Sequence, residues 1–220
     1  MNKNIPVEEP NNIGIPLFPA GMVHLYKAPK SFLNDLDLTQ ITFQKYEGQT
    51  KLRSEKFNSI LMQSGFEEVK SWVEECANDF LTNVLEMEYE EFFITESWLN
   101  ISEKGGYQKM HNHSNSIVSG VLYLKSLPEH PGLQFKRPAS EMQPFISLTE
   151  HYSRGNPHTA TTLGFPCTQD TMIVFNSHLY HGHDESKVES ERVGIAWNGL
   201  INFIQKDKNL YRIRFVKEDT

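Results

Sequence analysis

The 220-residue sequence lacks several features that would place it outside the ordinary class of folded proteins. It has only two cysteines, Cys76 and Cys167, without disulfide or zinc-motif spacing, so we expect buried, reduced thiols. It has no run of 18 apolar residues, which argues against a membrane-spanning helix. Its first residues lack the apolar segment of a secretory signal, so the expectation is an intracellular, cytoplasmic protein without a membrane partner.

Basic residues are also in deficit. Lys and Arg number 21 against 28 Asp and Glu, for a net charge of −7. Nucleic-acid binders usually carry a basic excess, so this balance disfavours a nucleic-acid partner. Hydrophobic residues make up 38% of the chain, which is typical of a folded domain and not of a disordered segment. We therefore predict a single domain over residues 1–220.

Hydrophobic periodicity divides the chain into two parts. From Gly65 to Met87, apolar residues recur every three or four positions, which predicts a long N-terminal amphipathic helix packed on one sheet. From residue 91 onward the period changes to two, and short strand-like runs alternate with turns, as in a sandwich or barrel. The predicted fold is therefore mainly β with flanking helices. Residues 1–90 would form an N-terminal arm and supporting helices, and residues 91–216 the β core.

Three further segments carry specific expectations. Residues 45–60 are polar and without period, which predicts a loop, either alone or with a short helix. Residues 138–170 are long, polar and irregular, and a loop of that length could act as a lid over a substrate. Residues 210–216 alternate between apolar and polar side chains, which predicts a closing strand. That strand could pair within the fold or across a homodimer.

The feature that points to chemistry is a pair of histidines, His111 and His113, at the end of a predicted strand. Side chains two residues apart on a strand project to the same side, so both imidazoles could bind one metal ion. A third ligand would come from a second cluster, in which His181 follows a buried strand and a small turn. Imidazole suits iron, zinc, copper and nickel, so these residue types alone do not choose the metal.

The sequence contains nine histidines, and a single histidine is more often a hydrogen-bonded residue than a ligand. The combination of two strand-end clusters favours a metal site at His111, His113 and His181. His178 and His183 remain alternatives for the third position. The other four have no supporting neighbours and are interpreted as non-ligands: His24, His130, His151 and His158.

Arg192 is the second candidate functional residue. It begins a predicted strand, where its side chain would be held in a fixed direction. A guanidinium group binds a carboxylate through two parallel hydrogen bonds. The residue taken alone is better explained as a surface arginine at a strand end, paired with Glu189 or Glu191. A role in binding a carboxylate therefore needs support from other parts of the sequence.

Two blocks of the sequence resemble a known family. The first comprises Trp98-Leu99-Asn100, Gly105-Gly106, His111-Asn112-His113-Ser114-Asn115-Ser116 and Ser119-Gly120-Val121-Leu122-Tyr123-Leu124. The second comprises Phe175-Asn176-Ser177-His178-Leu179-Tyr180-His181-Gly182 and Glu191-Arg192-Val193-Gly194-Ile195-Ala196-Trp197-Asn198. Together they resemble the 2-oxoglutarate/Fe(II)-dependent oxygenases of bacteria and phages, which have a prolyl-hydroxylase-like fold.

The resemblance implies a double-stranded β-helix, or jelly roll, with Fe(II) as cofactor and 2-oxoglutarate and O₂ as cosubstrates. It implies a His-x-Asp/Glu…His metal site, followed by an arginine that binds the distal carboxylate of 2-oxoglutarate. Arg192 stands eleven residues after His181, which fits that arrangement. Asn100 and Tyr123 are candidates for polar contacts to 2-oxoglutarate, although either could equally be an ordinary strand residue.

The first block departs from the family pattern, because His113 stands where the family has Asp or Glu. In one interpretation, His111 and His113 both bind the metal, which gives a three-histidine site. In the other, His113 is the only ligand from this block, and Asn115 or water takes the place of the acid. The strand that follows at Ile117 begins at the distance expected for the first interpretation.

Three functions follow from these residues. The favoured one is an Fe(II)/2-oxoglutarate-dependent oxygenase, a hydroxylase whose substrate is a small molecule or a protein side chain. The second is a non-catalytic jelly-roll binding or structural protein, which Arg192 beside His181 argues against. The third is a three-histidine iron dioxygenase that does not use 2-oxoglutarate. The sequence does not name the substrate.

Overall fold

The computed structural model of the protein describes residues 21–45, 51–137, 160–204 and 214–216. Within these ranges the chain forms one α-helix, α1 (Glu67–Asp79), and eleven strands. The strands are β1 (Val23–Lys27), β2 (Phe43–Lys45), β3 (Leu52–Glu55), β4 (Tyr89–Ser102), β5 (Gln108–His111), β6 (Val118–Lys125), β7 (Leu133–Lys136), β8 (Thr162–Phe165), β9 (Thr171–Asn176), β10 (Tyr180–His183) and β11 (Arg192–Phe203). The prediction of a mainly β fold is confirmed.

The strands form two antiparallel sheets. The larger sheet has the order β1-β9-β6-β11-β4-β3-β2, and the smaller one the order β5-β10-β7-β8. The chain crosses between the two sheets at each step from β4 to β7, and again at each step from β8 to β11. These two interleaved four-strand runs form the jelly roll that the family resemblance implies.

The prediction of a long N-terminal helix over Gly65–Met87 is wrong. The α-helix covers 13 residues, continues only as a π-helical turn over Phe80–Val84, and follows three strands in the chain. The apolar stripe continues into the π-helical turn, where Phe80 is fully buried. The chain then turns at Glu86, which has a φ of 53°. Periodicity reports which face is buried, and it does not reveal where the hydrogen-bond pattern changes.

α1 packs on one face of the larger sheet. Val73 and Ala77 from the helix are fully buried, and so are Leu99 of β4 and Trp197 of β11. All four belong to one apolar cluster. Side chains alternate along a strand, so over residues 97–101 this packing buries the odd-numbered side chains of β4 under the helix. The even-numbered residues from Glu96 to Ser102 line the cavity of the candidate site.

Two of the remaining segment predictions are corrected. The loop predicted over residues 45–60 contains β3, in which Leu52 is 1% exposed. Pairing with β4 makes this polar segment a strand, and such long-range pairing is not visible in local periodicity. The loop predicted over residues 138–170 contains β8, which pairs with β7. Residues 138–159, including the rest of the proposed lid, lie outside the described residues.

The closing strand predicted over residues 210–216 falls mostly outside the described residues. Residues 214–216 are described and do not form a strand. The backbone N–H of Phe215 donates to Oδ1 of Asn202 at 2.9 Å, which ties this segment to the end of β11. The division of the chain near residue 90 stays a prediction, and β1, β2 and β3 contribute to the larger sheet from before that point.

None of the helices in the described part of the chain is long and apolar enough to cross a membrane.

Candidate active site

The three predicted metal ligands come from two neighbouring strands of the smaller sheet and the loop after one of them. His111 ends β5 and pairs in register with His181 of β10. His113 follows the strand, and its backbone N–H donates to the carbonyl of Ser177 at 3.0 Å. The loop then turns at Asn115, which has a φ of 61°. His111 lies at the end of a strand, and His113 lies in a loop held by a hydrogen bond to Ser177. Their side chains therefore do not come together through strand alternation alone.

The three imidazoles meet at one point. One ring nitrogen from each lies within 4.8 Å of the other two. Nδ1 of His111 donates to the carbonyl of Lys109 at 2.8 Å, and Nδ1 of His181 donates to the carbonyl of Leu179 at 2.8 Å. A carbonyl partner fixes the ring proton on Nδ1 and leaves the Nε2 lone pair available for a metal.

Burial keeps two of the imidazoles neutral. The pKa of His113 falls to about 4, mainly through burial and then through the charge of His111. Burial also lowers the pKa of His181 to about 3. Aromatic rings supply part of this apolar surrounding, with Phe175 at 4.6 Å from His181 and Trp98 at 6.0 Å from His113, centre to centre. Neutral imidazole is the form that binds a metal ion.

The donor set fits a divalent transition metal. Nε2 of His113 and Nε2 of His181 lie 3.2 Å apart. Two nitrogens bound to the same ion at about 2.1 Å are separated by a similar distance. Three imidazoles from one side leave further positions of the ion open. The residues thus provide one face of a metal site and no carboxylate within the ligand group.

Arg192 lies in the same cavity as the three histidines. Its side chain begins β11 and is 8% exposed. Nη1 donates to the carbonyl of Pro131 at 2.7 Å, and the guanidinium carbon lies 5.8 Å from the ring centre of Tyr123. These contacts hold the guanidinium in place. The hydrogen bond to Pro131 uses an N–H donor on Nη1, and the other N–H donors of the guanidinium are not used by these two contacts.

The two acidic residues near Arg192 in the sequence have other partners. Glu191 forms an ion pair with Arg53 at 2.8 Å, and Glu189 forms one with Lys104. Among the described residues, no salt bridge joins Arg192 to a carboxylate. The surface-pair reading of Arg192 is therefore not what the structure shows. A buried cation of this kind is suited to an anionic ligand.

The cavity has a volume of about 590 Å³, and its lining includes Gln44 and Lys45 of β2, both of which are exposed. Asn100 and Tyr123 line it, as predicted from their inward direction. The Oδ1 atom of Asn100 is buried without a hydrogen-bond partner. Burial raises the pKa of Tyr123, so its hydroxyl stays protonated and can donate a hydrogen bond. Gly194 pairs with both residues in the sheet and also lines the cavity.

The two alternatives for the third ligand lie outside the three-histidine group. His178 is exposed. His183 lines the cavity, and its Nδ1 donates to the carbonyl of Asp184 at 2.9 Å. Burial and then the charge of Arg192 lower the pKa of His183 to about 3. His183 is therefore a neutral neighbour of Arg192. Asn115, the proposed substitute for the acid, is exposed and does not line the cavity.

The histidines predicted as non-ligands are accounted for where they are described. His130 is buried, with Nδ1 accepting from the N–H of Leu127 and Nε2 donating to the carbonyl of Ser190, both at 2.8 Å. His24 lies on β1, and its ring packs beside Tyr26 at 4.6 Å. Neither belongs to the three-histidine group. His151 and His158 lie outside the described residues.

Sequence reasoning missed two polar residues of the site, Glu96 and Asn198. They are directly opposite each other on β4 and β11, and Nδ2 of Asn198 donates to Oε1 of Glu96 at 2.7 Å. Strand alternation from Asn100 would have placed Glu96 on the cavity side. The partnership with Asn198 depends on strand register, which the sequence does not give.

Comparison with known families gives one match. Residues 96–198 match the model of a family described as "Putative 2OG-Fe(II) oxygenase". This segment contains the three histidines, Arg192 and both blocks on which the sequence resemblance depends, so the resemblance is confirmed. No curated protein matches the sequence.

Comparison with solved structures supports the same fold. HygX from Streptomyces hygroscopicus, crystallised with nickel, 2-oxoglutarate and hygromycin B, is 13% identical with a TM-score of 0.55, over 81% of this chain and 82% of HygX. A 2OG-Fe(II) oxygenase family oxidoreductase from Burkholderia pseudomallei is 12% identical with a TM-score of 0.51, over 73% and 72% of the two chains. At these identities the similarity establishes the jelly-roll fold alone.

Proposed function

We propose that this chain, whose residues 96–198 match the model of a 2OG-Fe(II) oxygenase family, is a hydroxylase that holds Fe(II) with three histidines and 2-oxoglutarate with Arg192. The observation that carries the proposal is the shared cavity. Three imidazole nitrogens within 4.8 Å of one another and a buried arginine without a carboxylate partner among the described residues line the same space.

His111, His113 and His181 would hold the metal through their ring nitrogens. Two of the three have their Nδ1 protons held by carbonyls, so little reorganisation of His111 and His181 is needed on binding. The metal would supply the oxidative chemistry, with O₂ and the decarboxylation of 2-oxoglutarate to succinate driving oxidation of a substrate C–H bond. The protein's own residues bind, orient and shield the reacting groups.

Arg192 would bind the distal carboxylate of 2-oxoglutarate. The Pro131 carbonyl fixes its direction, and its burial strengthens the pairing with an anion. Asn100 and Tyr123 would make polar contacts to the same molecule, because each presents an available polar group to the cavity.

The substrate is proposed to be a small molecule. A cavity of about 590 Å³ lies within the usual range of small-molecule sites, roughly 300–1,000 Å³. HygX, which shares the fold, was crystallised with the small molecule hygromycin B. The exposed side chains of Gln44 and Lys45, which line the cavity, are polar, so a polar substrate suits it.

The test is formation of succinate from 2-oxoglutarate in the presence of Fe(II), ascorbate and O₂. We expect slow succinate formation without added substrate, abolished in His181→Ala and unchanged in His24→Ala. The control residue lies on β1, away from the three-histidine group. Succinate formation that persists in His181→Ala would contradict the proposed metal site.

A second function is favoured by one observation, the absence of a carboxylate from the three-histidine group among the described residues. An iron dioxygenase with three histidines could oxidise its substrate without 2-oxoglutarate. Iron-dependent O₂ uptake that requires no 2-oxoglutarate and is indifferent to Arg192→Met would favour it. Arg192 has no role in that reaction, which is why we rank it second.

A further inference from the structure

One carboxylate lines the cavity among the described residues, and it belongs to Glu96. It lies outside the group of ligand atoms formed by the three histidines. A single Nδ2 atom, that of Asn198, donates to Oε1 of Glu96 at 2.7 Å and to Nδ1 of His113 at 3.2 Å. Glu96 is thus joined to a proposed metal ligand through one amide group.

The orientation of that amide is fixed from both sides. Oδ1 of Asn198 accepts from the hydroxyl of Ser119 at 2.7 Å. The Ser119 hydroxyl also contacts that of Ser177 at 2.7 Å. Turning the amide over would place its oxygen against the Glu96 carboxylate, and two acceptor oxygens repel each other. The carboxylate therefore keeps the NH₂ group of Asn198 on this side, where it also faces Nδ1 of His113. This differs from His111 and His181, whose Nδ1 atoms face carbonyl oxygens.

His113 therefore starts from the opposite tautomer. Its Nδ1 accepts from Asn198, so in the metal-free protein the proton is on Nε2 and donates to Nε2 of His181. Binding of a metal at Nε2 requires that proton to leave and Nδ1 to carry the proton of the neutral ring. The new Nδ1–H needs an acceptor. An NH₂ group cannot accept, whereas the Glu96 carboxylate beside it can.

We propose that Glu96 is a positioning residue, whose carboxylate accepts a hydrogen bond from the Nδ1–H group of His113 when the metal binds. In this way Glu96 would supply, from outside the ligand group, the negative charge that an acidic ligand supplies in related enzymes. A carboxylate hydrogen-bonded to a ligating histidine orients the ring and raises its basicity. The inference depends on the proposed metal site and explains how that site could function without an acidic ligand.

The chain contains a matched control pair. Glu91 lies on the same strand as Glu96, and Nδ2 of Asn202 donates to its Oε2 at 3.2 Å across the same two strands. Neither Glu91 nor Asn202 lines the cavity. The two Glu–Asn pairs thus share chemistry and strands, and differ in whether a histidine lies beside the amide.

The experiment measures Co(II) affinity of the full chain by visible absorption, without turnover. We expect Glu96→Gln to weaken Co(II) binding by roughly 10- to 100-fold, the usual effect of losing such a partner. Glu91→Gln should leave the affinity unchanged. The double variant Glu96→Gln/Asn198→Asp exchanges the carboxylate and the amide. It moves the carboxylate next to Nδ1 of His113, keeps an amide donor beside that carboxylate, and should recover most of the lost affinity.

Recovery in the double variant separates this role from the alternatives. The carboxylate introduced by Asn198→Asp would lie on the Nδ1 side of His113, away from the metal, so it cannot replace a direct ligand. Co(II) affinity that is unchanged in Glu96→Gln would overturn the inference, and so would a loss that the double variant does not recover. If the wild-type chain bound no Co(II), the proposed function itself would be wrong.

Discussion

At the scale of single residues, Arg192 combines burial with the lack of an acidic partner among the described residues. Its neighbours in sequence, Glu189 and Glu191, are engaged by Lys104 and Arg53. A buried guanidinium is costly to keep without an anion. This combination supports its assignment to the distal carboxylate of 2-oxoglutarate.

We expect Arg192→Met to weaken 2-oxoglutarate binding by about 2–5 kcal/mol, which is roughly 30-fold or more, because a buried charged pair loses one partner. The Michaelis constant for 2-oxoglutarate in the succinate assay measures this. Arg53→Met is the control, since Arg53 pairs with Glu103 and Glu191 and does not line the cavity. Equal effects of the two substitutions would contradict the assignment.

The residues that could be found from the sequence are those whose local surroundings are informative. His111, His113 and His181 stand out because each follows a strand-like run. The clustering of their side chains was predicted, and binding of a metal to them stays a prediction. Strand alternation could have placed Glu96 on the cavity side, but its pairing with Asn198 could not be found, because it arises from the register of β4 against β11.

At the scale of elements, one face of β4 packs in the core and the other lines the cavity. Leu99 is fully buried in the apolar cluster that also contains residues of α1. Asn100, the next residue, points into the cavity with a buried oxygen that lacks a partner. The period-two alternation of a strand is sufficient to predict this division.

Substitutions on the two faces should therefore behave oppositely. Leu99→Ala should lower the free energy of unfolding by about 2–5 kcal/mol, because it leaves a cavity in the core. Asn100→Ala should change stability little, since the lost oxygen has no partner, and should raise the Michaelis constant for 2-oxoglutarate. Chemical denaturation and the succinate assay give the two readouts. A stability loss in Asn100→Ala as large as that in Leu99→Ala would contradict this division.

The elements that were predicted incorrectly share a physical cause. β3 and β8 are short, and each becomes a strand through pairing with a neighbouring strand. β3 pairs with β4, which is distant in sequence, and β8 pairs with β7, from which a long connection separates it. The end of α1 is set by a change of hydrogen-bond pattern and by the positive φ of Glu86, neither of which alters the apolar stripe. Local patterns predict buried faces better than they predict element boundaries.

At the scale of the whole molecule, the buried histidines link stability to pH. The pKa values of His181 and His183 are about 3 in the folded protein, against about 6.5 for an unfolded chain. The unfolded state thus binds more protons below pH 6.5, and stability is lost as the pH falls through that range. His113, whose pKa is about 4, contributes in the same direction.

We expect the metal-free protein to lose about 2 kcal/mol for each of His113, His181 and His183 between pH 7 and pH 5, because all three folded pKa values lie below this range. Urea denaturation in the presence of a chelator measures this. His183→Asn keeps a donor to the Asp184 carbonyl and removes one titrating ring, so it should reduce the slope. Stability that is constant between pH 7 and pH 5 would contradict the burial of these neutral rings.

The most direct test of the central claim is an anaerobic titration of the protein with Fe(II), with and without 2-oxoglutarate. 2-Oxoglutarate bound to Fe(II) gives a weak visible charge-transfer absorption band. We predict this band for the wild-type protein and its loss in both His181→Ala and Arg192→Met. Iron binding without the band would contradict a shared site for metal and 2-oxoglutarate, and would favour the three-histidine dioxygenase.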